Sequence, residues 1–214
     1  MKLTDRLFEK VQQIWESYNQ HEFVRGIANG TLEKSKFRFY LIQDYLYLLD
    51  YAKVFAYGVI KSKSEKNMKF FADCIQGVIS SETDIHKNYM KILDIREDEL
   101  TKPTLTTTSY TKYMIGVAAT EGAAEIAVAV LACSWSYLFI ARNIVAEQGN
   151  SDFYAEWVNG YASDEYAEAN DVIIDLVNNL CVDYTEEQIL NLEDILVNCS
   201  KYEYMFWDMA WNMR

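Results

Sequence analysis

The sequence predicts an all-α fold, a single-domain bundle of about eight helices over residues 1–214. Apolar residues recur at helical spacing along most of the chain, and no segment alternates convincingly between apolar and polar residues as a strand would. Ile126 to Ile144 form an almost uncharged run, which indicates a central core helix that other helices surround. The single proline and the lack of a Ser/Gly-rich linker favour one domain.

The predicted helices follow one another between turn signals. In chain order they cover Leu3 to Asn19, His21 to about Asn29, Leu32 to Lys61, Ser64 to Leu93, Ser109 to Glu121, Ile126 to Ile144, a short aromatic piece around Trp157, Asp164 to Cys181, and a last helix from Thr185. Gly30 is a typical C-terminal stop, and Thr185 with Gln188 forms a capping box. The Thr-rich segment from Ile95 to Thr108, which holds Pro103, predicts a loop.

The apolar run carries the cysteine of greatest interest. It falls short of the ~20 apolar residues that a lipid-spanning helix needs, so we expect it inside a protein core. Cys133 and Tyr137 lie one turn apart on the same stripe of this helix. Cys133 is either a small buried hydrophobic residue or a functional thiol, and the run by itself does not choose between them.

Charge and cysteine spacing restrict the partners and the compartment. The net charge is −12 and the pI is about 4.6, with no basic patch, so neither nucleic acid nor an anionic membrane is expected as a partner. Met1 to Gln13 carries charges throughout, and we expect no signal peptide there. The four cysteines show no CxxC spacing, which favours reduced thiols in a cytoplasm.

Three predicted helices place ionisable groups on an apolar stripe. Asp44 lies on one, Glu82 and His86 on the next, and Glu203 on the last. Glu82 and His86 could simply bond each other, four residues apart on their own helix. Several such groups in one bundle are better explained by a polar pocket with little water. A cysteine thiol there can add reversibly to an electron-poor carbon, and a carboxylic acid can transfer protons.

Other chemistries fit the sequence less well. Zinc needs three or four Cys/His ligands, and the two histidines lie on different segments without a suitably spaced cysteine. A di-iron bundle needs two Glu-x-x-His motifs, whereas Glu82 and His86 are four apart and form one pair. There is no Gly-rich phosphate loop and no recognisable Ser-His-Asp arrangement. We therefore predict no metal and no cofactor.

The chain resembles the TenA/thiaminase II family over essentially its full length. The resemblance is carried by the order and spacing of six segments: HEFVRGIANGTL (His21 to Leu32), FRFYLIQDYLYL (Phe37 to Leu48), SYTKYM (Ser109 to Met114), LACSWSY (Leu131 to Tyr137), WVNGY (Trp157 to Tyr161) and EYMFWDMA (Glu203 to Ala210). The sequence departs from the family pattern at Ala132 and Ser134, where a proline usually stands beside the cysteine. It also departs at Glu22, where the family usually has proline.

The resemblance implies a haem-oxygenase-like helical fold, a homotetramer, and hydrolysis of thiamin or of the aminomethylpyrimidine left by thiamin breakdown. It implies that Cys133 is the nucleophile, that Glu203 is the acid/base and that Asp44 binds the aminopyrimidine edge. The pocket positions that it implies are Tyr47, Tyr110, Tyr137 and Tyr161. Two alternatives stay open: a haem-binding protein of the same fold with His21 as axial ligand, and a non-catalytic binding or regulatory protein.

Overall fold

The computed structural model describes residues 2–79, 83–147 and 153–214, with the backbone alone for residues 83–85. One residue considered in the sequence lies outside the described residues: Glu82, the partner considered for His86.

The described residues form ten α-helices and contain no strand, so the predicted all-α class is confirmed. The helices are α1 (Leu3–Gln20), α2 (Glu22–Ala28), α3 (Lys34–Lys61), α4 (Glu65–Gly77), α5 (Thr83–Ile92), α6 (Leu105–Thr120), α7 (Ala123–Glu147), α8 (Ala155–Ala162), α9 (Asp164–Leu180) and α10 (Glu186–Asn212). The count of about eight is slightly low, partly because the helix predicted from Ser64 to Leu93 is two helices.

The start of α6 corrects a second expectation. Only the first part of the predicted loop from Ile95 to Thr108 lies outside an α-helix, because α6 already begins at Leu105, and that part includes a short 3₁₀ helix at Glu97–Glu99. The Thr104 side chain accepts a hydrogen bond from the backbone N–H of Thr107 at 3.2 Å and thereby caps the helix. Gln43 of α3 strengthens this start, since its side-chain oxygen accepts from the Thr104 N–H and the Thr107 hydroxyl, both at 2.8 Å. The Thr-rich run is therefore a helix start as well as a loop.

The chain divides into two compact units. The first comprises Met1–Leu32 with Ala127–Trp207, and the second comprises Glu33–Ile126 with Asp208–Arg214. The single domain remains a prediction, and each unit is described by itself.

The first unit holds α1, α2, α8, α9 and most of α7 and α10. The stretch of α7 from Ala127 to Ala132 is completely buried. By length and composition α7 could cross a membrane, but 72% of its most apolar window is buried inside the protein, as in a core helix. Two hydrogen bonds tie α1 to α10: Trp15 Nε1 donates to Ser200 Oγ at 3.0 Å, and the Tyr18 hydroxyl donates to the Ser200 carbonyl at 2.5 Å.

The predicted end of α2 at Asn29-Gly30 is confirmed. Gly30 has a φ of 71°, in the left-handed region where glycine carries no steric cost. The turn then brings the chain back onto α2, and the N–H groups of Thr31 and Leu32 both donate to the Gly26 carbonyl.

The second unit is built around α3, which packs against α4, α5 and α6. Gly58 of α3 allows the ring of Phe71 on α4 to lie directly on the α3 backbone, since a Cβ at Gly58 would come within 2.4 Å of that ring. The buried face of α3 also carries Asp44. This residue is 4% exposed and lies in an otherwise apolar stripe.

Candidate active site

The seven residues singled out in the sequence are distributed over both units. The first unit contains Cys133, Tyr137, Tyr161 and Glu203, and the second contains Asp44, Tyr47 and Tyr110. All are buried except Cys133, which is half-buried.

In the second unit, two donors hold the Asp44 carboxylate. The Tyr40 hydroxyl, one turn earlier on α3, donates to Asp44 Oδ2 at 3.2 Å. Nε2 of His86, on α5, lies 2.5 Å from the same oxygen. An ionised carboxylate only accepts hydrogen bonds, so Nε2 carries the shared hydrogen when Asp44 is ionised. Among the described residues no hydrogen bond reaches Oδ1, which leaves that oxygen as an acceptor for a ligand.

The contact between His86 and Asp44 was missed by the sequence analysis, which considered a partner for His86 only on its own helix. Residues 42 positions apart are joined here across two helices. Helical periodicity correctly placed both residues on buried faces, but it carries no information about which faces meet.

Tyr47 and Tyr110 are brought into direct contact in the same unit. Their ring centroids lie 5.1 Å apart, and Tyr47 also stacks on Tyr51 at 5.4 Å. The Tyr47 hydroxyl donates to the Met114 sulfur at 3.7 Å. Such contacts fix the planes of the rings, which is what a surface that receives a flat heterocycle requires.

The other two predicted tyrosines are paired in the first unit. Tyr137 on α7 meets Tyr161 on α8 edge to face, with centroids 4.9 Å apart. Trp157 of α8 and Trp207 of α10 complete this cluster, at 5.8 Å and 5.2 Å from the Tyr137 ring. Three helices of the first unit therefore contribute to one aromatic cluster.

Glu203 and Cys133 both act on the hydroxyl of Tyr18. Burial raises the pKa of Tyr18 well above its ordinary value, the negative charge of Glu203 raises it further, and Cys133 and Cys199 contribute less. The hydrogen bond to Ser200 opposes these effects on the pKa. The Glu203 carboxyl and the Cys133 sulfur are thus both near enough to Tyr18 to influence its ionisation. Tyr18 was not singled out in the sequence, because an ordinary aromatic residue near the end of an amphipathic helix carries no signal of its surroundings.

Two of the other cysteines have raised pKa values. Burial, with the Glu203 charge adding to it, raises the pKa of Cys199 well above its ordinary value. Burial, assisted by Asp73, raises the pKa of Cys74 to about 12. At neutral pH both are thiols rather than thiolates, and the thiolate is the nucleophilic form. Cys181 is buried, and all four cysteines are free of disulfides.

The departures from the family pattern beside Cys133 leave the helix intact. α7 runs without interruption from Ala123 to Glu147, through Ala132 and Ser134. Within the described part of the chain, the Ser134 hydroxyl is buried without a hydrogen-bond partner. A proline here would remove a backbone donor from a regular helix.

His21 has a structural task. Its Nδ1 accepts a hydrogen bond from the Phe23 N–H at 3.1 Å and thereby caps α2. Its ring lies edge-on to Tyr204, with centroids 5.2 Å apart. Within residues 2–79, 83–147 and 153–214, no three His, Cys, Asp or Glu side chains are grouped as a metal site would group them.

Comparison with solved structures gives the fold. A TenA homologue from P. horikoshii OT3 superposes with a TM-score of 0.90 at 27% identity, covering 99% of each chain. A domain with a heme oxygenase-like fold from Shewanella denitrificans OS217 superposes with a TM-score of 0.79 at 19% identity, covering 100% of this chain and 93% of its own. The haem-oxygenase-like fold implied by the resemblance is therefore confirmed.

Comparison with curated sequences gives the family. An aminopyrimidine aminohydrolase of Helicobacter pylori is 42% identical over 99% of both chains. An aminopyrimidine aminohydrolase of Halalkalibacterium halodurans is 41% identical over 100% of this chain and 97% of its own. These relatives confirm the prediction of an enzyme. The model of the TENA/THI-4/PQQC family matches residues 8–213, nearly the whole chain. The chain belongs to the TENA/THI-4/PQQC family.

Proposed function

We propose that this protein is an aminopyrimidine aminohydrolase of the thiaminase II type. It hydrolyses 4-amino-5-aminomethyl-2-methylpyrimidine, or thiamin, at the exocyclic methylene and releases hydroxymethylpyrimidine in thiamin salvage or degradation. The observation that carries this proposal is the 42% identity, over 99% of both chains, to an enzyme of that name.

The second unit supplies the groups that recognise the ring. The 4-amino group of an aminopyrimidine donates hydrogen bonds, and Asp44 keeps Oδ1 as an acceptor while Oδ2 is held by Tyr40 and His86. Tyr47 and Tyr110, whose rings are already packed against each other, offer aromatic surface to the pyrimidine. We assign the same binding role to Tyr137 and Tyr161, which form the corresponding pair in the first unit.

We assign the breaking of the bond to Cys133 and Glu203. The Cys133 sulfur adds to a ring carbon, and the electron pair displaced into the ring expels the amine, or the thiazole of thiamin, from the methylene. Glu203 gives its proton to the departing amine. Water then attacks the methylene while Glu203 takes up a proton, the electron pair returns, and the carbon–sulfur bond breaks to release the thiolate. The sum is one water consumed and one C–N bond hydrolysed.

No cofactor enters this scheme, and we place the reaction in the cytoplasm, where free thiols such as these four persist. We also propose a homotetramer, with neither nucleic acid nor a membrane as a partner. Light scattering in dilute buffer should report about four times the 24.9 kDa chain mass, and a monomer would refute the tetramer.

The decisive experiment is a product assay with both candidate substrates. Ammonia and hydroxymethylpyrimidine should appear from the aminomethylpyrimidine, and the thiazole alcohol and hydroxymethylpyrimidine from thiamin. The Cys133→Ser variant is the matched control, since it changes one atom and should release neither. A wild-type protein that turns over neither compound yet binds them would favour the non-catalytic alternative. A Soret band on haem titration would favour the haem-binding one.

A further inference from the structure

His86 is a deeply buried partner of Asp44. It is 1% exposed, and it is one of only two histidines in the chain. The other, His21, caps α2. Burying an imidazole beside a carboxylate removes water from both groups, so the pair has to supply the hydrogen bond that water would otherwise make.

The geometry of the pair determines which carboxylate oxygen is occupied. Nε2 of His86 and the Tyr40 hydroxyl both reach Oδ2 of Asp44, at 2.5 Å and 3.2 Å. The torsion that turns a carboxylate about its Cβ–Cγ bond has a broad minimum, so the side chain needs outside donors to hold one orientation. One donor comes from the same helix as Asp44, and the other comes from α5.

We propose that His86 is a positioning residue: through its hydrogen bond to Oδ2 it holds the Asp44 carboxylate so that Oδ1 is the oxygen that binds the aminopyrimidine. This inference rests on the proposed function. His86 acts through Asp44 and does not itself touch the substrate. The donor from α5 comes from a different helix, so the orientation of Asp44 depends on the packing of α5 against α3.

Two substitutions at His86 distinguish the effect of losing the hydrogen bond from the effect of losing the ring. His86→Leu removes the donor, and kcat/KM should fall about 10- to 100-fold, mostly through a higher KM, because a hydrogen bond that orients a charged group is lost. His86→Gln keeps an N–H donor near the position of Nε2 and should restore most of that loss. Tyr89→Leu is the matched control, since Tyr89 is also buried on α5 but packs edge-on to Phe37. It should keep a near-normal KM.

A double-mutant cycle with Asp44→Asn tests whether His86 acts through Asp44. If it does, adding His86→Leu to Asp44→Asn should lower kcat/KM by less than about threefold, because the orientation that His86 maintains no longer matters. Fully additive losses in an active enzyme would overturn the inference while leaving the proposed function standing. A wild-type enzyme that hydrolyses neither aminopyrimidine would instead refute the proposed function.

The hydrogen bond can also be observed without any substrate. With histidine alone labelled by ¹⁵N, the spectrum contains two imidazoles, and His86→Gln assigns them. Nε2 of His86 should carry a hydrogen with a strongly downfield proton shift, and Asp44→Asn should move that resonance while His21 stays in place. An unchanged His86 resonance in Asp44→Asn would overturn the inference.

Discussion

Two buried carboxylates, one in each unit, have contrasting surroundings. Asp44 is surrounded by donors: Tyr40 and His86 both reach its Oδ2. The negative charge of Glu203 disfavours the ionisation of its neighbours. It adds to the effect of burial in raising the pKa of Tyr18 and of Cys199. Under the proposed function Asp44 accepts hydrogen bonds from the ring and Glu203 transfers protons, and enzymes separate two carboxylate roles by environment in this way.

The comparison predicts different kinetic consequences for the two units. Changes around Cys133 and Glu203 should act on kcat, because they affect bonds that break. Changes around Asp44 should act mainly on KM, because they affect how the ring is held. The following predictions test this division.

Cys133→Ser should have the largest effect. If addition of sulfur to the ring is obligatory, kcat should fall by at least about a thousandfold while binding of the pyrimidine is retained. A turnover assay would check the loss of kcat, and calorimetry of product binding on the same preparation would check that binding is retained. Cys74→Ser, Cys181→Ser and Cys199→Ser are the controls and should remain active. A near-normal kcat in Cys133→Ser would show that the thiol has only a packing role.

Glu203→Gln should come next. The amide keeps the size of the side chain but cannot transfer a proton, so kcat should fall about 10²- to 10⁴-fold with a KM close to that of the wild type. Steady-state kinetics with the aminomethylpyrimidine measures both constants. A variant with a changed KM and an intact kcat would show that Glu203 binds the substrate and does not transfer a proton. The proposed contrast with Asp44 would then be wrong.

Asp44→Asn should lower kcat/KM about 10- to 150-fold, through KM, because a hydrogen bond to a charged acceptor is worth about 1.5–3 kcal/mol. The structure adds a second effect. Since Asp44 is paired with His86 and Tyr40, the amide also leaves these buried donors mismatched, and unfolding free energy should drop by about 1–3 kcal/mol. Melting temperature and kinetics together decide this, and a stabilised Asp44→Asn would contradict the observed pairing.

Tyr18→Phe should have the smallest effect. It removes the hydroxyl that donates to the Ser200 carbonyl but keeps the buried ring, so stability should fall by about 1 kcal/mol. We expect kcat to fall less than about tenfold, because the hydroxyl lies near Glu203 and Cys133 without a step of its own. Chemical denaturation and turnover measure the two effects. A loss of kcat comparable with that of Glu203→Gln would add the Tyr18 hydroxyl to the proton-transfer groups.

Much of the local structure could be predicted from the sequence. Helical periodicity correctly gave the all-α class, the core position of α7 and the burial of Asp44 and Glu203. The conformational freedom of glycine gave the end of α2 at Gly30. The boundary that failed, at the start of α6, is a place where a short segment can end one element or begin another. There the choice depends on what the segment packs against, as Gln43 shows at the start of α6.

The sequence by itself determined which residues lie on which face of each helix, and together with the family resemblance it gave the candidate residues of the site. Only the tertiary structure decided their partners: His86 for Asp44 across 42 residues, and Tyr18 with Ser200, one turn from Glu203, across 182. The physical reason is that a helix repeats every 3.6 residues and brings residues three or four apart together on one face. Which two faces then pack is decided by the shapes of whole helices, and no local pattern of residues contains that information.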